Sequence, residues 1–207
     1  MQNRLGAVVL AAGSGTRLGG PKGALLWNGE LLLGLHARAF AGVVGDVVLA
    51  VSPQVERAIG SLEVWHAELA ARSVKLHVVG VTTAGPYETL LIAVKALPSH
   101  VEALWVTHVD TVPASQTLLS TMRERYVSQR PEAMKPVFKE EPNLARGGHP
   151  VLVRRSLIDA RFEHLRACLA SIEVDPLETD DRRILSSINT RGECEQWLGH
   201  PPVFCVA

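Results

Sequence analysis

Hydrophobic positions fall into two alternating patterns along the chain. Short apolar runs rich in Val, Leu and Ala are LGAVVLA (5–11), DVVLAVS (46–52), VKLHVVG (74–80) and EALWVTHVD (102–110). Runs of this length, bounded by glycine or polar residues, predict buried strands. Longer stretches with helical spacing lie between them. In ELLLGLHARAFAG (30–42), Leu31, Leu35 and Ala39 share one face and a glycine ends the pattern. A second helix is predicted over 53–72, with Ser52-Pro53 as its cap and first turn. Two more are predicted over YETLLIAVKAL (87–97) and 115–128. Strand and helix alternate, which predicts βαβ construction and hence an α/β chain with a mainly parallel, mixed central sheet.

The second half is less regular. AMKPVFKE (133–140) and HPVLVRR (149–155) read as two strands joined by the polar loop 141–148. Helical segments near 156–170, strands at 171–175 and 183–188 and a helix at 190–198 follow. The tail PPVFCVA is ambiguous between an edge strand and a loose end. No internal repeat or low-complexity linker divides the chain, so one domain over 1–207 is expected.

Charge and cysteine usage narrow the function. The 21 Lys and Arg balance 21 Asp and Glu, so no global basic field recruits nucleic acid. No apolar stretch approaches a membrane span, and the N-terminal run is broken by Gly13, Gly15, Arg17 and Lys22. Cys168, Cys194 and Cys205 are odd in number and lack C-x-x-C spacing, which suits a reducing, cytoplasmic setting. The eight histidines show no i, i+4 pair, so no helical metal site is encoded in that form.

Candidate chemistry concentrates in AVVLAAGSGTRLGGPK (7–22), where a strand runs into four glycines and two cations. A dinucleotide fingerprint requires a third glycine where Leu18 stands, and an acidic residue at the end of the second strand, which reads Val51-Ser52-Pro53. A Walker loop requires Gly-Lys-Ser/Thr, whereas Lys22 lies between Pro21 and Gly23. Both standard motifs fail on residues their mechanisms need. The segment still suits a triphosphate: glycines allow a sharp turn and aim successive N–H groups at an anion, and Arg17 and Lys22 can bracket it.

At Leu10-Ala11-Ala12-Gly13-Ser14-Gly15-Thr16-Arg17-Leu18-Gly19-Gly20-Pro21-Lys22 the chain resembles molybdenum-cofactor nucleotidyltransferase-like proteins. Their signature is L-A-A-G-x-(S/G)-x-R-(M/L)-G-x-x-K, and they are related to sugar-phosphate and isoprenoid-precursor nucleotidyltransferases. The resemblance implies a three-layer α/β nucleotidyltransferase fold over the full chain. It implies nucleotide binding by Leu10, Ala11, Ala12, Gly13, Ser14, Gly15, Thr16, Arg17 and Lys22, with Arg17 and Lys22 neutralising the triphosphate in catalysis. Gly85 and Thr89, in GPYETL (85–90), fall where the family has a nucleotide-side G-x-x-S-S-L; Tyr87 and Glu88 depart from that pattern.

Three later landmarks follow from the same resemblance. Asp110 corresponds to a metal-binding aspartate, with Pro113 one place later than usual; a helix cap for 115–128 is the structural alternative. Gly148, His149 and Pro150 in RGGHPVLV match the acceptor-side segment of the cytidylyl-transferring branch. The family's terminal D-I-D-T-P-E-D appears here as Ser187-Ile188-Asn189-Thr190-Arg191-Gly192-Glu193, leaving Asn189 as a neutral oxygen ligand for Mg²⁺. Should a second carboxylate complete the metal site, Asp180 and Asp181 are the candidates. Ala12, where the guanylyl branch has glycine, resembles the cytidylyl branch. The implied activity is Mg²⁺-dependent transfer of an NMP group, CMP favoured, from CTP to a phosphorylated small molecule such as a molybdopterin-type cofactor. A molybdoenzyme or chaperone is the implied protein partner. The alternative is a nucleotide-binding protein of the same fold with lost or altered catalysis.

Overall fold

The computed structural model describes residues 4–59, 63–72, 74–81, 85–139 and 148–205, with backbone alone for 63–66. In chain order the strands are β1 (Leu5–Ala11), β2 (Leu26–Trp27), β3 (Glu30–Leu31), β4 (Asp46–Val51), β5 (Lys75–Gly80), β6 (Ala103–His108), β7 (Ala133–Phe138), β8 (Val151–Arg154) and β9 (Val174–Thr179). The helices are α1 (Leu32–Phe40), α2 (Pro53–Ile59), α3 (Glu63–Ala71), α4 (Pro86–Ala96), α5 (Gln116–Gln129), α6 (Leu165–Ala170) and α7 (Arg191–Leu198).

Seven strands form one sheet in the order β5-β4-β1-β6-β8-β7-β9. β1 pairs in parallel with both β4 and β6, and all seven of its residues are buried. Only β8 runs against its neighbours, pairing antiparallel with β6 and β7, while β9 rejoins in parallel. The expected α/β class with a mainly parallel mixed sheet is therefore what the chain forms.

Side-chain alternation along β1 makes the layers. Leu5, Ala7, Val9 and Ala11 pack with Leu33 and Phe40 of α1 and Leu119 and Met122 of α5. Val8 and Leu10 face the other way, against Leu90, Ala93 and Val94 of α4. A third, smaller cluster joins Leu18 and Leu25 of the glycine-rich segment to Ile188, Cys194 and Leu198 near the C-terminus. It fixes α7 behind the loop that follows β1.

Several elements differ from expectation. Residues 30–31 belong to a β2–β3 hairpin turned at Asn28-Gly29, both at positive φ, so α1 starts later. The 53–72 stretch forms two helices, with 60–62 outside the described residues. The 156–170 stretch holds a 3-10 turn at Arg155–Leu157 and the short α6. The strand expected at 171–175 runs instead over β9, in register with β7. The strand expected at 183–188 is a 3-10 turn, Arg182–Leu185, followed by extended chain. Asp181 accepts from Arg183 N, and Ser186 Oγ donates to Arg183 O. These local bonds take backbone groups a ladder would need. The tail is tied down: Leu26 N donates to Val203 O, and Cys205 N to Ala24 O. Of the polar loop 141–148, only Gly148 lies among the described residues.

Ser186 fastens the C-terminal segment to the sheet, because its buried Oγ also accepts from Val112 N at 2.7 Å. Ser186→Ala should leave that N–H unpaired and cost about 1–3 kcal/mol, read as a lower urea midpoint with an unchanged slope. An unchanged midpoint would show that the segment is held elsewhere.

Candidate nucleotide and metal site

β1 ends at the carboxyl edge of the sheet and passes directly into the glycine-rich segment. Leu18, Gly19 and Gly20 all turn their N–H groups back to Gly15 O, at 2.8, 3.1 and 3.3 Å. Gly15 makes this possible. Its φ is 63°, and a Cβ there would lie 1.9 Å from Gly20 O. The turn leaves Gly13 and Ser14 exposed and brings Lys22 in after Pro21, at the start of a second 3-10 turn.

A cleft of about 590 Å³ lies beside this loop. Leu10, Ala12, Gly13, Ser14 and Lys22 line it from the loop side. Gly85 and Thr89 at the start of α4, His108 at the end of β6 and Asp110 after it supply other walls. Asp110 stands two residues beyond the end of β6, on a turn pinned when Val109 N donates to Leu10 O.

Three distant segments meet at one ammonium group. Lys22 Nζ donates to Asp110 Oδ2 at 2.7 Å and to Asn189 Oδ1 at 2.5 Å. Asn189 is positioned from both sides: Ile188 N donates to Asp110 O at 2.7 Å, and Asn189 N to Glu193 Oε2 at 2.9 Å. Asn189 Nδ2 also donates to Ser187 Oγ. Glu193 closes a capping box with Thr190 at the start of α7. Burial pushes the Glu193 carboxyl up, but bonds from Asn189 and Thr190 and the nearby Arg17 charge outweigh it and hold it below its ordinary value.

The remaining predicted residues divide. Ala11 is buried in β1, and Gly15 and Thr16 shape the turn without lining the cleft. Arg17 is exposed and does not line the cleft either; its charge is felt by Glu193. Gly148 is buried, with Ile184 O 1.9 Å from where a Cβ would be; Pro150 follows His149 through a cis peptide bond. Gly147 lies outside the described residues. Glu88 is exposed and lines neither the cleft nor the cavity beside it. Asp180 pairs with Lys139, and Asp181 with Arg183 and Ser115 N, so neither reaches Asp110.

Sequence reasoning missed His108. It lines both this cleft and a neighbouring cavity of about 740 Å³ that His149 also lines. The two rings pack edge to face, 4.9 Å apart. Desolvation, then the His108 field, lowers His149 to about 4, and burial lowers His108 as well. Neutral His149 donates from Nδ1 to Val106 O at 3.3 Å. No local signal marked it, because only the β1–β6 register sets His108 beside Leu10.

The donor set fits a hard divalent cation, because a carboxylate oxygen and an amide oxygen converge on one point that the ammonium holds. Among the described residues, no group of three or more His, Cys, Asp or Glu could hold a metal ion.

Residues 7–186 match the MobA-like NTP transferase domain. The chain belongs to this family. Solved structures agree with that NTP transferase assignment at the level of fold. The Rv0371c protein of Mycobacterium tuberculosis is 20% identical, with a TM-score of 0.70 over 96% of this chain and 99% of that one. The same protein has been solved as a manganese complex, at 18% identity and TM-score 0.67 over 95% and 99%. 4-Diphosphocytidyl-2C-methyl-D-erythritol synthase of Anaerococcus prevotii is 12% identical, with TM-score 0.64 over 93% and 95%. Molybdopterin-guanine dinucleotide biosynthesis protein A of Archaeoglobus fulgidus is 14% identical, with TM-score 0.61 over 94% and 97%. No curated protein matches significantly. Among the described residues, no helix of this transferase-type chain is long and apolar enough to cross a membrane.

His36 of α1 is also lowered to about 4 by burial, against its bond from Nε2 to Thr111 O. For both histidines the unfolded chain binds the extra proton between pH 6.5 and about 4, so stability rises with pH across that window. It should be level above pH 6.5 and fall by up to about 3 kcal/mol per histidine towards pH 4. Urea unfolding across this range measures it, and His36→Gln with His149→Gln should flatten the slope.

Proposed function

We propose that this protein is a nucleotidyltransferase that moves an NMP group, CMP favoured, from a nucleoside triphosphate to a phosphorylated small molecule and releases pyrophosphate. A molybdopterin-type cofactor is the first acceptor to test. The observation that carries the reading is the junction in the cleft wall, where Lys22 Nζ meets Asp110 Oδ2 and Asn189 Oδ1 beside an open glycine loop. In this reading residues 1–207 form one cytoplasmic nucleotidyltransferase domain, which hands its product to a molybdoenzyme or chaperone.

Position supports the following roles. The backbone of Ala12, Gly13 and Ser14 receives the phosphates, on the turn that Leu10, Ala11, Gly15 and Thr16 build. Gly85 and Thr89 meet the nucleoside. Lys22 leaves Asp110 for the triphosphate, and Arg17, a long exposed side chain on the adjoining turn, swings in to the same charge. Asp110 and Asn189 then offer two oxygens to Mg²⁺. The ion, when bound, screens the phosphates and polarises the α-phosphoryl group. An oxygen of the acceptor phosphate forms a bond to the α-phosphorus as the bond to the bridging oxygen of pyrophosphate breaks. The attacking oxygen is already anionic, so no protein base is needed. The chain's contribution is orientation and electrostatic stabilisation. Gly148, His149 and Pro150 stand on the acceptor side. The Ala-Ala-Gly form at Ala11–Gly13 supports CTP.

A second reading, nucleotide binding without transfer, is favoured by one feature: with Ser187 and Asn189 in place, Asp110 is the only carboxylate among the described residues that bonds Lys22 Nζ. Equilibrium binding of CTP, GTP, ATP and UTP with and without Mg²⁺ separates the two. Transfer predicts Mg²⁺-dependent binding with CTP tightest, and Asp110→Asn should remove the metal dependence at an unchanged thermal midpoint. Lys22→Ala should lower turnover by about two orders of magnitude. Metal-independent binding insensitive to Asp110→Asn would support the binding-only reading.

A further inference from the structure

The cavity beside the cleft holds more positive charge than transfer of one phosphate requires. It adjoins the cleft through Leu10, Pro86 and His108, which line both. Its body is apolar, with Leu90, Val151, Leu165 and Leu169 among the walls. Among the described residues, no carboxylate lines it. Its polar side chains are three imidazoles, the Tyr87 hydroxyl, which donates to Asp159 O, and two cations, Lys135 of β7 and Arg166 of α6.

Neither cation has a hydrogen bond or ion pair among the described residues, and Lys135 feels the Arg166 charge. Burial lowers the Lys135 ammonium below its ordinary value, and Arg166 lowers it further. Nearby cations are treated differently. Arg125 meets Asp175 at 2.6 Å, Lys139 meets Asp180 at 3.4 Å, and Arg183 meets Asp181 at 2.7 Å. Among the described residues, carboxylates thus meet the cations around the cavity and not the two that line it. A partly buried Lys135 ammonium beside the exposed Arg166 raises the free energy of the empty protein, and an incoming anion relieves it.

We propose that Lys135 and Arg166 form a second anion subsite and that the acceptor is a two-ended molecule. Its reacting phosphate lies toward Lys22 and Asp110, its apolar or ring-bearing body fills the cavity, and a second anionic group, carboxylate or phosphate, sits on Lys135 and Arg166. The part concerning the reacting phosphate rests on the transferase reading; the anion subsite itself rests on the cavity.

The test uses the full chain and two probes, phenyl phosphate with one anionic end and para-carboxyphenyl phosphate with two. Each is titrated calorimetrically with and without CTP and Mg²⁺. The two-ended probe should bind roughly tenfold more tightly, the worth of one charge-assisted contact. Lys135→Gln and Arg166→Gln should each remove that preference while leaving phenyl phosphate and CTP·Mg²⁺ binding unchanged. Both variants should also raise the thermal midpoint of the free protein, because a repulsion disappears. Equal binding of the two probes, no binding of either, or a preference that survives both substitutions overturns the subsite. A preference that persists where CTP·Mg²⁺ does not bind keeps the subsite and removes the transferase reading instead.

Discussion

The site hangs on one ammonium group. Lys22 Nζ bridges residues 88 and 167 positions away in the chain, Asp110 on the turn after β6 and Asn189 before α7. The contact is partly withdrawn from water, with the Lys22 and Asp110 side chains 16% and 24% exposed. Removing the cation would leave the Asp110 carboxylate near His108 with no ion-pair partner among the described residues. The geometry therefore demands a cation between these oxygens. On the proposed function, lysine fills that role in the free protein and a nucleotide-borne divalent ion takes it over as Lys22 moves to the phosphates.

Other features serve this junction. The β1 ladders with β4 and β6 hold the strand end rigid, so the glycine loop starts from a fixed point. The Ser186 hydroxyl and the bond from Ile188 N to Asp110 O bring the C-terminal segment to the same edge. The capping box of Thr190 and Glu193 then fixes the backbone of Asn189. Ligands of open α/β sheets collect at the carboxyl ends of the strands because helix starts and loop N–H groups converge there. Here the loop after β1 and the start of α4 do so.

Local chemistry explains what was legible in the sequence. β1 and β4 can be read because fully buried strands leave continuous apolar runs, and the turn can be read because Gly15 and Gly20 meet too closely for a side chain. The cap of α5 is Ser115 and not Asp110, so the structural alternative for that aspartate does not hold. The 183–188 segment reads as a strand by its apolar residues, yet Asp181 and Ser186 bond its backbone and bend it into a 3-10 turn. His108 is invisible as a site residue, because only the register of β6 on β1 and the packing of α6 create the two cavities it separates. The exposure of Arg17 is likewise a product of the 3-10 turn and not of spacing. A motif match names residues; the fold decides which of them face one another.

The central claim, that Lys22 stands in for a metal which arrives with nucleotide, is tested most directly by calorimetric titration of Mg²⁺ into the protein with and without CTP. With one carboxylate and one amide oxygen at the junction, Mg²⁺ alone should give negligible heat, and saturable one-to-one binding should appear once CTP is present. Tight stoichiometric Mg²⁺ binding to the nucleotide-free chain would contradict the account.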